Sequence, residues 1–581
     1  MRILTASDRT LLVEAKGLDE AMRLNLAWDG VPGIVERIPG ARTVLVRFDP
    51  LRTSAAALAE VLSATPVDAE HVPHTREVTV PVHYDGEDLA EAASLLGVSA
   101  EELVNRHLAA DWQVAFSGFA PGFGYVVSGD PLFDVPRRSS PRTRVPAGSV
   151  ALAGAFTGVY PRESPGGWQL IGRTDAVMWD IDRDPPALLS PGALVRFERA
   201  GREGLRFPPV AQPVSSPQAS PSSLNDPHQG SPQTESHAGA ELRGALSEPE
   251  ARRNGLSEVV VERAVGESKR SSDESKPRSS DPQSPLVEIV RASLQLLVQD
   301  AGRPGHAALG VSASGAADRT ALRDANRAVG NETAAAVLES VGGLTLRFHG
   351  DGVAAVNGAI GELTLTDAER LTRSIPHGAP FATVDGDELT LGHPTHGLRY
   401  VVGVRGGLAA ASALGSRASD TLAGLGPDPL AAGAIVAVGD AGVHAVDPVA
   451  TPRELPAPGD LVELDITLGP RDDWFTASAL VALTTQEWLV TPRSDRVGIR
   501  LQGDVPLERA TQGELPSEGA VTGAIQVPPD GQPVLFLPDH PLTGGYPIIG
   551  ALTDRCLDLA AQLPPGARIR FRTPRNEEGL S

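Results

Sequence analysis

The chain has 581 residues, and its 51 basic and 73 acidic side chains leave a formal net charge of −22, which disfavours nucleic-acid phosphates and anionic membrane surfaces as partners. The single cysteine, Cys556, excludes an intrachain disulfide framework and any cysteine-cluster zinc or iron–sulfur site. With 4% aromatics beside 61 glycines and 50 prolines, the composition favours short strands and tight turns, and the length suggests about four domains.

Met1-Arg2-Ile3-Leu4 runs into Ser7, Asp8 and Arg9, so the apolar core of a signal peptide is missing, and no apolar run is long enough to span a membrane. A cytoplasmic, multidomain protein is expected. Residues 2–4 and 10–14 read as strands, and 18–28 as a helix carrying Ala21, Leu24, Ala27 and Trp28 at helical spacing. Residues 34–39 and 43–48 form a hairpin around Gly40, and 54–62 a helix with Ser54 as N-cap. That β–β–α–β–β–α order implies a small α+β sandwich. A strand at 78–82 and short helices at 88–96 and 100–109 follow. After Val114 the chain becomes strands and Gly/Pro turns. Residues 208–284, rich in Ser and Pro, are too poor in apolar groups to offset ordering entropy and read as a disordered tether. The second half is again β-rich, with one helix at 317–329, and barrels rather than a parallel sheet are expected. Gly-rich strings at 148–154 and 523–529, each followed by a Gly-Gly-aromatic element, suggest corresponding turns or chance similarity.

No Walker-type phosphate loop, His-Glu-x-x-His or Gly-x-Ser-x-Gly occurs. Residues 116–125 place three glycines among Phe119, Pro121, Phe123 and Tyr125. They read as a pocket lip with Gly122 offering backbone N–H, or as a turn with core aromatics. Thr157, Tyr160, Ser164, Gly167 and Trp168 lead to Arg173, whose guanidinium either grips an anion or pairs with an acid such as Asp134 or Asp180. Asp300 and Arg303 flank Gly302 after a strand. Ser314 and Gly315 precede the helix that carries Asp318 in its first turn, giving either an anion site or a Ser cap with a helix-dipole acid. Residues 405–407 with 415–420 suggest an oxyanion- or phosphate-facing loop. Asp495 sits between Arg493 and Arg496, and Asp539-His540 is the best acid–imidazole pair, general acid or base unless merely a surface-turn histidine.

Together these strings resemble a known pair of families. Residues 1–207 resemble the B-type subunit of 5-oxoprolinase (allophanate hydrolase subunit 1, Kip-type) in Gly118 to Tyr125, Val145 to Val150 and Thr157 to Thr174. Residues 285–576 resemble the C-type subunit of 5-oxoprolinase (allophanate hydrolase subunit 2) in Val298 to Arg303, Gly310 to Asp318, Ser494 to Gly498, Gln526 to Pro533 and Gly544-Gly545-Tyr546-Pro547. The resemblance implies a mostly β fold with α+β. A small α+β domain (1–78) and a cyclophilin-like barrel (79–207) precede the 208–284 linker, and two further cyclophilin-like barrels (285–462 and 463–576) follow it. It implies an ATP-dependent opening of 5-oxo-L-proline to L-glutamate with ATP and Mg²⁺, a lactam-opening third subunit of the A type, and possible homo-oligomers. The alternatives are a biotin-dependent carboxyltransferase of the urea carboxylase type and a histidine-kinase inhibitor. The biotinyl string Ala-Met-Lys-Met is missing, since methionine occurs only at 1, 22 and 178, so any biotin sits on another chain. Phe156, Asp175 and Leu542 depart from the family pattern.

On this reading Arg173, Arg303 and Arg496 supply positive charge to a transferring phosphoryl group, with Asp300, Asp318 or Asp495 orienting the metal or the arginines. Phe119, Pro121, Gly122, Phe123, Tyr125, Thr157, Tyr160, Ser164, Gly167, Trp168, Ser314, Gly315, Gln526, Gly545 and Tyr546 are expected around the substrate, and His540 is the acid or base.

Overall fold

In the first half, the apolar runs Leu11-Leu12-Val13 and Val44-Leu45-Val46 are continuous where a half-solvated sheet would alternate, so both faces of their sheet must be covered. The computed structural model, which describes residues 1–67, 76–138, 140–201, 285–440, 444–450, 452–513 and 515–574, shows what covers them. The tether expected at 208–284 lies outside the described residues.

Strands Arg2–Ser7, Thr10–Glu14, Thr43–Phe48 and Ile34–Pro39 lie side by side in that order in an antiparallel sheet. Leu11, Val13, Val44 and Val46 pack against Leu24 and Trp28 at the end of helix Leu18–Ala27 and Leu58 and Leu62 of helix Ala55–Ala64. The Ser54 hydroxyl caps the second helix at the Ala57 N–H, as its position before an apolar stretch predicts. Across the sheet, Leu12, Leu45, Ile38 and Ala6 pack with Ala307 and Leu542 of the second half. One sheet thus serves as the core of its own domain and as half of the seam with another.

The rest of the first half is a seven-stranded sheet, ordered Gln169–Arg173, Ser149–Ala153, Phe156–Val159, Gly124–Val127, Trp112–Ser117, Leu194–Arg199 and Glu77–Val82. A bridge between His83 and Arg173 ties its two ends, so it curls into a barrel-like form. The second half opens with six- and five-stranded sheets that share one core, in which Ile289, Leu338, Leu346, Val356 and Tyr400 are buried. It ends in a closed seven-stranded barrel that begins with Leu461–Leu468 and includes Ile548–Leu552 and Arg568–Arg572. The fold is mostly β, as expected. The two Gly-Gly-aromatic strings each contribute to a two-stranded ribbon beside a larger sheet, at Ser164–Gly166 and Thr543–Gly544.

Two local expectations are corrected. The helix of the second half is Arg319–Val329, and its N-cap is Asp318, whose carboxylate accepts the Ala321 N–H; Ser314 lies upstream with a left-handed φ of 50°. Two more helices, Ala477–Thr485 and Asp554–Ala560, join it in the second half.

The described residues of both halves form one compact unit. Arg471, buried, bonds Glu518 of its own half and Glu14 of the other. Ala41 N–H donates to the Ser517 carbonyl at 2.8 Å and Gly122 N–H to the Leu309 carbonyl at 3.3 Å. No helix among the described residues is long and apolar enough to cross a membrane.

Candidate functional site

At the seam, close backbone approach dictates glycine. A Cβ on Gly118 would lie 2.4 Å from the Thr543 hydroxyl, and one on Gly310, whose φ is 77°, would lie 2.6 Å from the Ala120 carbonyl. Phe119 takes a left-handed φ of 62°, and its N–H donates to Thr543 Oγ1 at 3.0 Å; the Tyr125 hydroxyl meets the same oxygen at 3.3 Å. A non-glycine residue held at positive φ is strained and persists only where its surroundings fix it.

Two cavities lie in this seam. The larger, of about 370 Å³, is roofed by the first sheet (Asp8, Arg9, Ile38, Arg47, Phe48) and floored by the second half (Asp300, Ser314, Arg319, Phe536, His540, Leu542). The smaller, of about 10 Å³, lies among Phe119, Pro121, Ser312, Asp420, His540 and Leu542. His540 and Leu542 border both.

Behind the floor is a buried ionic layer. Arg496 forks onto Asp539, with Nε to Oδ2 at 3.0 Å and Nη2 to Oδ1 at 3.1 Å, and also donates to the Gly315 carbonyl and to Glu339. Ser314 Oγ donates to Asp539 Oδ1 at 2.7 Å, and Thr421 gives it both N–H and hydroxyl. Burial alone would raise the Asp539 carboxyl, but the Arg496 guanidinium overrides it and holds the group below its ordinary range. Nearby, Asp420 accepts from Ser312 Oγ and from the Leu422 and Ala423 N–H groups, with Arg303 Nη1 at 4.0 Å. Burial, then the neighbouring Asp539 charge, pushes its carboxyl up to about 6.

His540 stacks on Phe536 with ring centroids 5.5 Å apart, and its Nδ1 lies 2.9 Å from the Pro541 carbonyl. A carbonyl only accepts, so Nδ1 carries the proton and Nε2 the lone pair. Burial pushes the imidazole down to about 4, so it is neutral at pH 7. Nε2 meets no hydrogen-bond partner among the described residues.

The structure brings Asp300, Ser314 and His540 to the larger cavity and Phe119, Pro121 and His540 to the smaller; Gly315, Arg303 and Arg496 stand directly behind. The other expected site residues go elsewhere. Arg173 does not join the two buried arginines: its Nε holds Asp85 at 2.8 Å in a half-exposed pair, with neither Asp134 nor Asp180 as that partner. Asp300 orients no guanidinium, because its carboxylate is taken by Ser416 Oγ and the Arg417 and Gly302 N–H groups. Asp318 holds Arg453 and Gln562, and Asp495 closes its own exposed turn on the Val497 and Gly498 N–H groups. Gly122 spends its N–H on Leu309, and Gly315 contributes its carbonyl. Phe123, Tyr160 and Trp168 are buried core aromatics, the last two packed edge to face on Phe123. Thr157 is bonded to His107 inside the first barrel. Ser164 and Gly167 lie at a surface ribbon, where the Gly167 carbonyl accepts the Arg138 N–H. Gln526 donates to the Tyr546 carbonyl at 3.5 Å, Arg509 lies over the Tyr546 ring, and Gly545 leaves room for Arg137. Asp8, Arg9 and Arg47 were not anticipated, because hairpin ends carry no local signature of a cavity roof.

The larger cavity does not fit a magnesium triphosphate. Its lining holds three arginines against five carboxylates. Arg9 is paired with Asp554, Arg47 with Glu36, and Arg319 with Asp554 and Asp558. The anion site expected at the start of helix Arg319–Val329 is filled by the chain itself, since Asp558 accepts the Arg319 and Thr320 N–H groups. Among the described residues no group of three His, Cys, Asp or Glu is arranged to hold a metal ion.

Comparison with known proteins agrees with this two-part architecture. The family described as "Carboxyltransferase domain, subdomain C and D" matches residues 1–189, and "Carboxyltransferase domain, subdomain A and B" matches 309–573. The chain is 42% identical to the B subunit of 5-oxoprolinase from Escherichia coli O157:H7 over 29% of its own length and 78% of that protein's. It is 34% identical to the C subunit of 5-oxoprolinase from Escherichia coli K12 over 51% of its length and 93% of that protein's. The crystal structure of TTHA0988 superposes with a TM-score of 0.73 at 31% identity, covering 97% of this chain and 100% of its own. The chain therefore belongs to the carboxyltransferase-domain family, in which it joins a half like the B subunit of 5-oxoprolinase to a half like the C subunit in one polypeptide.

Proposed function

We propose that the chain is the fused B/C component of an ATP-dependent 5-oxoprolinase, which opens 5-oxo-L-proline to L-glutamate with a separate third subunit. The observation that supports this is a cavity of about 370 Å³ walled by both halves, each similar to a differently named subunit of that enzyme. An amide is a poor electrophile, and ATP supplies the activation that its opening needs. The residues of the seam do not fit the nucleotide, so its binding is assigned to the complete complex rather than to this cavity.

The chain's own residues account for the proton chemistry. Ile38, Phe48, Phe536 and Leu542 give the cavity apolar walls for a small ring. Ring opening by water removes a proton from the attacking oxygen and delivers one to the departing nitrogen. His540, neutral and fixed with its lone pair on Nε2, takes the first proton there and returns it as the C–N bond breaks. The acidic lining disfavours a polyanion and offers acceptors to the lactam N–H of the singly charged substrate.

Incubating the purified chain with an A-type third subunit, 5-oxo-L-proline, ATP and Mg²⁺ tests this reading. Coupled release of ADP and glutamate is expected, and its absence with every such partner contradicts the proposal. The family description favours one second reading, carboxyl transfer from biotin on another chain. Consumption of carboxybiotin with urea as acceptor would select it.

A further inference from the structure

The smaller cavity has no part in the scheme above, yet it touches His540. Its volume of about 10 Å³ is the room of roughly one water molecule, which needs two to four polar partners to be held. Ser312, Asp420 and His540 border it; the remaining lining is apolar side chain or main chain. Three observations mark polar demand at this spot. Asp420 is 3% exposed, and among the described residues its Oδ2 accepts only Ser312 Oγ at hydrogen-bond distance. Arg303 Nη1, buried, stands 4.0 Å from that oxygen without a hydrogen-bond partner. His540 Nε2 is likewise without a partner among the described residues.

We propose that the smaller cavity holds one water molecule linking Asp420 to His540, and that Asp420 sets the protonation of the imidazole through it. In the resting site with Asp420 ionised, the water donates one hydrogen to its carboxylate and the other to Nε2; that second hydrogen bond is given up when the attacking water of the larger cavity takes the Nε2 lone pair. With Asp420 protonated, its O–H donates to the water and the water to Nε2. Transfer along this line turns carboxyl, water and imidazole into carboxylate, water and imidazolium, with one proton moved and none gained. Asp420 is thus a positioning residue that acts through His540.

The charges around the pair are Arg303 and Asp539 on Asp420, with Arg496 behind Asp539, and Asp539 and Arg47 on His540.

The inference rests on the functional reading only for its kinetic arm. A crystal structure of the full chain at high resolution should show a water bonded to Asp420 and His540. Carboxyl-carbon NMR should show Asp420 titrating near pH 6. With the complete enzyme, Asp420→Asn should lower kcat about tenfold with KM within twofold and remove the ionisation near pH 6 from the kcat profile. Asp420→Glu should restore that ionisation. A dry cavity, or an Asp420→Asn profile that keeps the ionisation, overturns the proposal. If no partner yields turnover, the functional reading fails, and the water and the titration still decide this one: both present sustain it, either absent overturns it.

Discussion

His107 and His540 are both buried imidazoles, one inside the first barrel and one in the seam, and they end in different company. Around His107 every polar atom is used. The Thr157 hydroxyl donates to the Ala151 carbonyl and so accepts from Nε2–H, which leaves Nδ1 to accept from the Tyr84 hydroxyl at 2.8 Å. Trp112, Phe133 and Phe197 close the ring in. His540 has one nitrogen fixed by Pro541 and the other directed to open space at a cavity wall. Burial lowers both, to about 3 and about 4, so proton affinity does not tell them apart. What separates structure from chemistry is a lone pair that no protein group among the described residues takes.

The largest effect expected from this contrast is kinetic. In the complete enzyme His540→Gln should cost about 10²–10⁴-fold in kcat, while His107→Gln should leave kcat per folded molecule within a few-fold. Next comes stability. Arg496→Met strands Asp539 without its cation and leaves Glu339 only Arg399, 3.7 Å away, and should cost about 3–5 kcal/mol in urea unfolding. His107→Ala empties a packed aromatic site and should cost about 3 kcal/mol, more than His540→Ala, whose ring already borders a void.

The pH dependence of stability separates the groups further. Each histidine has a folded value below its ordinary 6.5, so the unfolded chain binds more protons between the two values. Their contribution is full above pH 6.5 and is lost as pH falls, through about 4 for His540 and about 3 for His107. Asp420, raised to about 6, works in the opposite sense: the folded state holds its proton longer, so stability declines from pH 4 to 6. Melting temperatures between pH 4 and 7 should therefore rise more steeply with pH in Asp420→Asn than in the parent, and less steeply in His107→Gln. The smallest effect is expected from Arg173→Ala, which breaks a half-exposed pair and should cost under about 1 kcal/mol, with kcat retained.

Local signals were readable in the sequence where local physics decides. The hairpin at Ile34–Pro39 and Thr43–Phe48 follows from side-chain alternation, and the start of helix Ala55–Ala64 follows from Ser54. Helix Ala477–Thr485 was missed because Ala-Ser-Ala-Leu-Val-Ala-Leu-Thr-Thr has no polar face to give it a period, and Asp554–Ala560 because seven residues barely make two turns. The site follows the same division. Asp539-His540 and Ser314 stand out as motifs. Arg173 misled because an arginine after a strand does not announce its partner, and Asp85 lies 88 residues away. The roof residues Asp8, Arg9 and Arg47 needed the knowledge that the first sheet is buried on both faces. That was visible in Leu11-Leu12-Val13 and Val44-Leu45-Val46, though what covered the second face was not.

The central claim is that the proton chemistry of this protein sits in the seam, on the open nitrogen of His540. Its most direct measurement compares kcat of His540→Gln and Arg173→Ala in the complete enzyme, by coupled release of ADP and glutamate at pH 7. The account predicts a loss of at least about 10²-fold for the first and parental turnover for the second. Parental turnover in His540→Gln with collapse in Arg173→Ala would contradict it.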